Sequence, residues 1–375
     1  MSPLPLREAL LKQAFSLLRP AFLIDQRFLE QRVRQLLDAW SGGYSYPVKT
    51  QPAPEVVTVV ARTGCGFDIC SPEELDIVLS ARHGKTQLLS FTAPVLSAEF
   101  SCRLVESGVD VYLSTPEQVL LWSQRYRGHP VGLRVAVEAG GYSAKFGIYR
   151  SEIREMLNLL AGSGCPLAGL HAHGSITVLG KGNFNIPAIT ALTESLRLLS
   201  PGSGTLTVSL GGGWPFSANI DSESDLTLPL QRLCTQMLIP ALGGKGYTPR
   251  FVVEPGEVIV GPSGVFATRV AAVREYRGQR IVVLDSPWEI RPKHRDYPVT
   301  FWRRTPSGLE QILTDPAPSV VHGCANNPED VVADDTLLPR PRPGDLAMIH
   351  RCGAYLSSLI APFNSRLPPE VHLVG

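Results

Sequence analysis

The feature that most constrains the fold is a regular alternation of short apolar runs and amphipathic stretches through the first 260 residues. The runs span Ala21 to Ile24, Tyr46 to Lys49, Gly66 to Ile69, Gln87 to Ser90, Asp110 to Leu113, Val131 to Val137, Ala168 to His173, Thr205 to Leu210 and Phe251 to Glu254, each of strand length. Helical spacing falls between them, as in Ser71 to Arg82, Thr115 to Arg125, Ser151 to Ala161 and Pro187 to Leu199. Ser71 with Glu74, and Ser151 with Glu155, have the cap and early acid of helix starts. Strands that alternate with helices pair in parallel, and eight such units over about 250 residues predict a (β/α)8 TIM-like barrel.

Beyond Gly261 the texture changes. Val265 to Glu275, Arg280 to Asp285, Thr300 to Arg303 and Asp345 to Ile349 read as strands between Pro- and Gly-rich turns, which predicts a C-terminal β domain. The first run, Ala21 to Ile24, precedes the first barrel helix and is free to join that domain. The expected organisation is a barrel over 26–260 and a β-sandwich or β-barrel domain made of 1–25 and 261–375.

Composition narrows the function classes. With 44% hydrophobic and 18% charged residues the chain is a folded protein, and 35 Lys+Arg against 34 Asp+Glu leaves no basic surplus for nucleic acid. Seven cysteines, an odd number without CxxC spacing, predict neither a zinc ribbon nor a disulfide framework and favour a reducing, cytoplasmic home. Arg7, Glu8 and Lys12 interrupt the apolar N-terminal stretch, and no run approaches the ~20 apolar residues of a membrane span, so that stretch is expected to be a docking helix.

Barrels of this kind carry their chemistry where strands end. Lys49 ends one apolar run, a position that either lets the ammonium reach the rim or uses it chemically. His171 and His173 sit two apart with no Asp or Glu at suitable spacing, which favours packing or stacking over a metal site. Gly211, Gly212 and Gly213 follow another run, where backbone N–H groups can cradle a phosphate, and Glu254-Pro255-Gly256 closes the next. A lysine, a stacking histidine, a glycine nest and one carboxylate together point to pyridoxal phosphate, with no metal.

These residues belong to an ordered set. Tyr46-Pro47-Val48-Lys49-Thr50, Phe67-Asp68-Ile69-Cys70-Ser71 with Glu74-Leu75, Leu133-Arg134-Val135, Ser143-Ala144-Lys145-Phe146-Gly147, Gly169-Leu170-His171-Ala172-His173, the glycine triplet, Glu254-Pro255-Gly256, Cys324, Gly353-Ala354-Tyr355 and Phe363-Asn364 follow one another along nearly the whole chain. The set resembles the fold-type III pyridoxal-phosphate decarboxylases, which include diaminopimelate, ornithine and arginine decarboxylases and share an alanine racemase-like barrel. The resemblance implies that Lys49 holds the cofactor, His173 stacks on its ring, Gly211 to Gly213, Ser175, Gly256 and Tyr355 face its phosphate, Glu254 pairs with the ring nitrogen, and Asp68 and Arg134 line the ring. It also implies a homodimer with shared active sites, in which Cys324 enters from the partner subunit as the acid that protonates the α-carbon.

Three departures from the family pattern carry information. Glu257 stands where an arginine usually follows Glu-Pro-Gly, and His173-Gly174-Ser175 is one residue shorter than the family's H-x-G-S. Ala325 occupies the position after the cysteine that normally carries an acid for the substrate's distal ammonium. Arg291, with Lys293, His294 and Arg295 nearby, resembles the arginine that binds a substrate carboxylate. The expected activity is therefore decarboxylation of an α-amino acid with a carboxylate-bearing or bulky far end, such as a citryl-diamino acid in siderophore biosynthesis. An amino-acid racemase on the same barrel and an inactive, regulatory relative are the alternatives; Glu254 speaks against the first and the retention of Lys49, Glu254 and Cys324 against the second.

Overall fold

The computed structural model describes residues 8–40, 42–81, 88–138, 145–174, 186–214, 227–288, 297–360 and 362–375. They form two compact units, one over 31–258 and one that joins the start of the chain, through residue 30, to 259–375.

In the first unit eight parallel strands close on themselves. With Ala21–Asp25 of the other unit as β1, they are β2 Gly43–Pro47, β3 Gly66–Ile69, β4 Leu89–Phe91, β5 Asp110–Leu113, β6 Val131–Arg134, β7 Leu167–His171, β8 Gly204–Ser209 and β9 Tyr247–Val253. β9 returns to β2 through Gly43↔Val252 and Tyr44↔Val253, which removes every sheet edge. Helices such as Pro54–Arg62, Pro72–Ala81, Ala98–Glu106 and Pro116–Arg125 connect successive strands. Their starts are chemically marked: Ser97 Oγ accepts from the Phe100 N–H, Thr115 Oγ1 from Gln118, and Ser71 Oγ from Glu74, while Glu74 reaches back to the Cys70 N–H at 2.7 Å. The helix expected from Ser151 begins instead at Ile153 with Glu152 at its cap position, after a turn in which the Glu152 carboxylate accepts from the Tyr149 N–H at 3.0 Å.

Several strands end earlier than their apolar runs predict. β2 stops at Pro47, and Val48–Thr50 winds into one turn of 3-10 helix, so Lys49 lies past the strand and not on it. β6 stops at Arg134, after which Val135 makes only an isolated bridge to Ile148. β7 stops at His171, leaving His173 in the following loop. Pro47 supplies no N–H to a ladder, which explains the first case.

The second unit is a nine-stranded sheet. β1 lies in it, antiparallel to Gly264–Tyr276 (Ala21↔Ala267 to Ile24↔Gly264) and parallel to Glu370–Val374. Its core packs Phe22 on Phe266 with ring centroids 4.8 Å apart, joined by Trp288, Phe301 and Ile349. The architecture is a (β/α)8 barrel plus a separate, largely antiparallel β domain, as the strand patterns predict. The Glu8–Ser16 helix packs in a small cluster with Leu23, Val265 and Met348.

Candidate active site

Around the C-terminal ends of the barrel strands the structure gathers polar groups that an apolar core would exclude. Asp68, on β3 and 1% exposed, accepts from Lys49 Nζ at 2.9 Å through Oδ2, while its Oδ1 meets the Ser90 hydroxyl at 3.3 Å. Burial pushes the Asp68 carboxyl up, against the lowering pull of Lys49. Burial would push the Lys49 ammonium down, but Asp68, then Cys70 and more distantly Glu254, overcome that and hold it well above the ordinary lysine range.

On the other side of β2 from Asp68, Glu254 follows β9 and is 3% exposed. Its Oε2 faces His171 Nε2 at 3.1 Å and its Oε1 accepts from Ser209 Oγ at 2.5 Å. Burial opposes ionisation, yet His171, Ser209 and Lys49 together hold the carboxyl far below the usual range. His173 lies beside this pair with its Nδ1 accepting from the Gly212 N–H at 3.2 Å. Burial, followed by the charges of Lys49 and Arg134, lowers His173 to about 3, so the ring is neutral at physiological pH and suited to lie against another flat ring. Arg134 is buried at the end of β6 with its guanidinium 4.5 Å from the centroid of Phe146.

The glycines are needed for approach. Gly211 has φ +66°, and a Cβ there would lie 2.6 Å from the Ala172 carbonyl oxygen. A Cβ on Gly256 would fall 2.1 Å from Thr50 Oγ1, a buried hydroxyl that has no hydrogen-bond partner among the described residues. An orphaned hydroxyl beside a backbone free of side chains fits an anionic group whose oxygens would satisfy both. An ionised buried carboxylate, a charged lysine on its counter-ion and a neutral histidine complete a donor set that fits pyridoxal phosphate.

His171, His173 and Glu254 bring one ligand atom each within 4.8 Å of one another, so the expectation that no acid accompanies the histidines fails: Glu254 joins them from 81 residues beyond His173. Its atoms are already hydrogen-bonded, His171 to Glu254 and His173 Nδ1 to the Gly212 N–H. Two hydrogen-bonding roles lie beyond what sequence spacing shows. His171 is a hydrogen-bond partner of Glu254 as well as a packing ring against Tyr112, and Ser209 is a second donor whose only local signal is a serine ending an apolar strand before the glycine triplet.

In the β unit, Cys324 is partly buried and its N–H donates to the Ser286 carbonyl at 3.1 Å. Burial raises its thiol; Arg366 pulls the other way, and Asp330 and Asp285 add to the rise, so the group keeps its proton. The Ala325 N–H is held by Asp330 Oδ2 at 2.8 Å. Tyr355 takes φ +65°, an unusual backbone for a residue other than glycine. Ser175 and Arg291 lie outside the described residues, as do Ser143 and Ala144.

The model of the pyridoxal binding domain of pyridoxal-dependent decarboxylases matches residues 27–261. Among curated relatives, diaminopimelate decarboxylase of Streptomyces coelicolor is 25% identical over 348 residues, covering 85% of this chain and 77% of its own. Protein TabA of Pseudomonas amygdali pv. tabaci is 26% identical over 396 residues, covering 98% and 90%. The fold is shared with lysine/ornithine decarboxylase of Vibrio vulnificus complexed with cadaverine (TM-score 0.79, 20% identity, 98% of this chain and 97% of that one). It is also shared with diaminopimelate decarboxylase of Helicobacter pylori complexed with L-lysine (0.77, 20%, 98% and 94%). With that family's domain model spanning more than half of its length, the chain belongs to the pyridoxal-dependent decarboxylases and is a pyridoxal-phosphate-dependent amino-acid decarboxylase.

Proposed function

We propose that the enzyme decarboxylates an α-amino acid whose far end is anionic or bulky, such as a citryl-diamino acid formed in siderophore assembly, and not a free diamino acid. The observation that carries this reading is Ala325, which stands where relatives of this pattern place an acid for a distal ammonium. The buried acid of that loop, Asp330, is turned to the backbone: Oδ1 accepts from the Trp288 N–H at 2.6 Å and Oδ2 from the Ala325 N–H at 2.8 Å. A distal ammonium brought to residue 325 would meet a methyl group in place of a carboxylate, and an uncompensated buried charge costs several kcal/mol. Arg291 and its basic neighbours would instead meet a distal carboxylate, for which a guanidinium fork is the better partner.

The bound cofactor supplies an electron sink for the pair left when carbon dioxide departs. Lys49 would hold it covalently, released from Asp68 as its proton leaves. Gly211, Gly212, Gly213, Gly256, Ser175 and Tyr355 would bind the phosphate, Asp68 and Arg134 would line the ring, neutral His173 would stack on it, and Glu254 would stand at the ring nitrogen. Cys324, its proton retained, would deliver that proton to the α-carbon from the partner subunit of a homodimer. Exposed Leu359, Phe363 and Leu367 lie in the segment where Asn364 Oδ1 accepts from the Asn326 N–H, two residues past Cys324, which suits a face covered by a second copy. Seven cysteines without a disulfide suit a reducing cytoplasm, and no helix among the described residues is long and apolar enough to cross a membrane.

Carbon dioxide release from free lysine, ornithine and meso-diaminopimelate, and from their citryl and succinyl conjugates, tests the specificity. Conjugates should be turned over with the higher kcat/KM. Efficient turnover of a free diamino acid with the conjugates inert would return the enzyme to the primary-metabolism branch.

A further inference from the structure

We infer that His171 and Ser209 are positioning residues that act through Glu254: their two donated hydrogen bonds hold the carboxylate in place and negative, so that the proton it shares with the cofactor's ring nitrogen stays on nitrogen. The inference rests on the proposed placement of Glu254 at that nitrogen and goes beyond it.

The direction of each hydrogen bond follows from the partners. Ser209 Oγ accepts from the Gly211 N–H at 3.3 Å, so its own hydrogen is free to point at Glu254 Oε1, 2.5 Å away. An ionised carboxylate can only accept, so the hydrogen between His171 and Glu254 belongs to Nε2. His171 is 1% exposed and its Nδ1 has no hydrogen-bond partner among the described residues, which leaves Nε2 as the imidazole's polar tie. The ring is seated by Tyr112, whose centroid lies 5.5 Å from it. A buried imidazole with one orphaned nitrogen is an expensive way to fill space. The arrangement is explained if the other nitrogen has a task.

That task is electrostatic. A carboxylate and a protonated ring nitrogen buried together can relax to a neutral pair by moving one proton onto oxygen, and burial favours the neutral pair. Hydrogen bonds donated to the carboxylate favour the charged pair. With Lys49 engaged on the cofactor and released from Asp68, the donors that touch Glu254 itself are His171 and Ser209. With the proton on nitrogen the ring withdraws electrons strongly; with it on Glu254 the sink is weaker.

The test loads the holoenzyme with cofactor labelled with nitrogen-15 in the ring and reads the ring-nitrogen resonance, which reports protonation without turnover. Wild type should give the protonated position, and Glu254→Gln the unprotonated one. His171→Phe and Ser209→Ala should each move the resonance at least halfway toward the unprotonated position, whereas His171→Gln, which restores a donor, should lie near wild type. If Glu254→Gln moves the resonance while His171→Phe and Ser209→Ala leave it unchanged, the inference is overturned and Glu254 keeps its place. If Glu254→Gln itself has no effect, both fail. Ser209→Ala removes a single oxygen and keeps the test open should His171→Phe not fold.

Discussion

Lys49 Nζ and Asp68 Oδ2 lie 2.9 Å apart, so the lysine that would carry the cofactor is held as an ammonium by a buried acid on the neighbouring strand. Only the neutral amine can attack an aldehyde, and by favouring the ammonium Asp68 lowers the fraction of neutral amine. Asp68→Asn should therefore accelerate covalent capture of the cofactor by apoprotein at pH 7.5 by about tenfold or more. Borohydride trapping followed by peptide mapping would read the rate and the site. Capture slowed by the substitution would show that Asp68 does not restrain the lysine.

A shared site makes a prediction about mixtures. Lys49→Ala and Cys324→Ala proteins should each be nearly inactive, yet after subunit exchange they should recover up to about a quarter of parental activity, one intact site in each mixed dimer. No recovery despite demonstrated exchange would put both residues in the site of one subunit.

Glu257 opens the short helix after Gly256, beside the proposed phosphate cradle. Replacing it by arginine exchanges a repelling charge for an attracting one. Glu257→Arg should tighten cofactor binding by about tenfold or more, equivalent to ~1.4 kcal/mol. Absorbance titration of apoprotein measures it, and unchanged affinity would place residue 257 away from the phosphate.

His350 is buried, with Nε2 2.8 Å from Thr300 Oγ1, and burial followed by the nearby Arg351 charge lowers it to about 4. The unfolded chain takes up this proton near pH 6.5 and the folded protein does not until about 4. Stability is therefore lost as pH falls through that window and is complete above it. Between pH 7 and 4.5, His350→Phe should lose less stability than wild type, by roughly 2 to 3 kcal/mol in urea unfolding. Parallel pH profiles would mean that His350 titrates normally.

The sequence by itself determined the barrel, the β domain and the order of the chemical residues, because strand and helix periodicity, caps and the glycine triplet act over a few neighbouring positions. Where strands end was less legible: β6 and β7 stop at Arg134 and His171 although their apolar runs continue, and no proline or glycine directly follows either residue to mark the end. Only the tertiary structure decided the pairing at the mouth. His171 lies opposite Ser209 on β7 and β8, and Ser209 opposite Val252 on β8 and β9, two residues before Glu254. That alignment is set by the register of closed parallel strands, a sum of backbone hydrogen bonds and core packing spread around the whole barrel. No local pattern encodes it, so a histidine that sequence spacing assigns to packing becomes a hydrogen-bond partner of an acid 83 residues away.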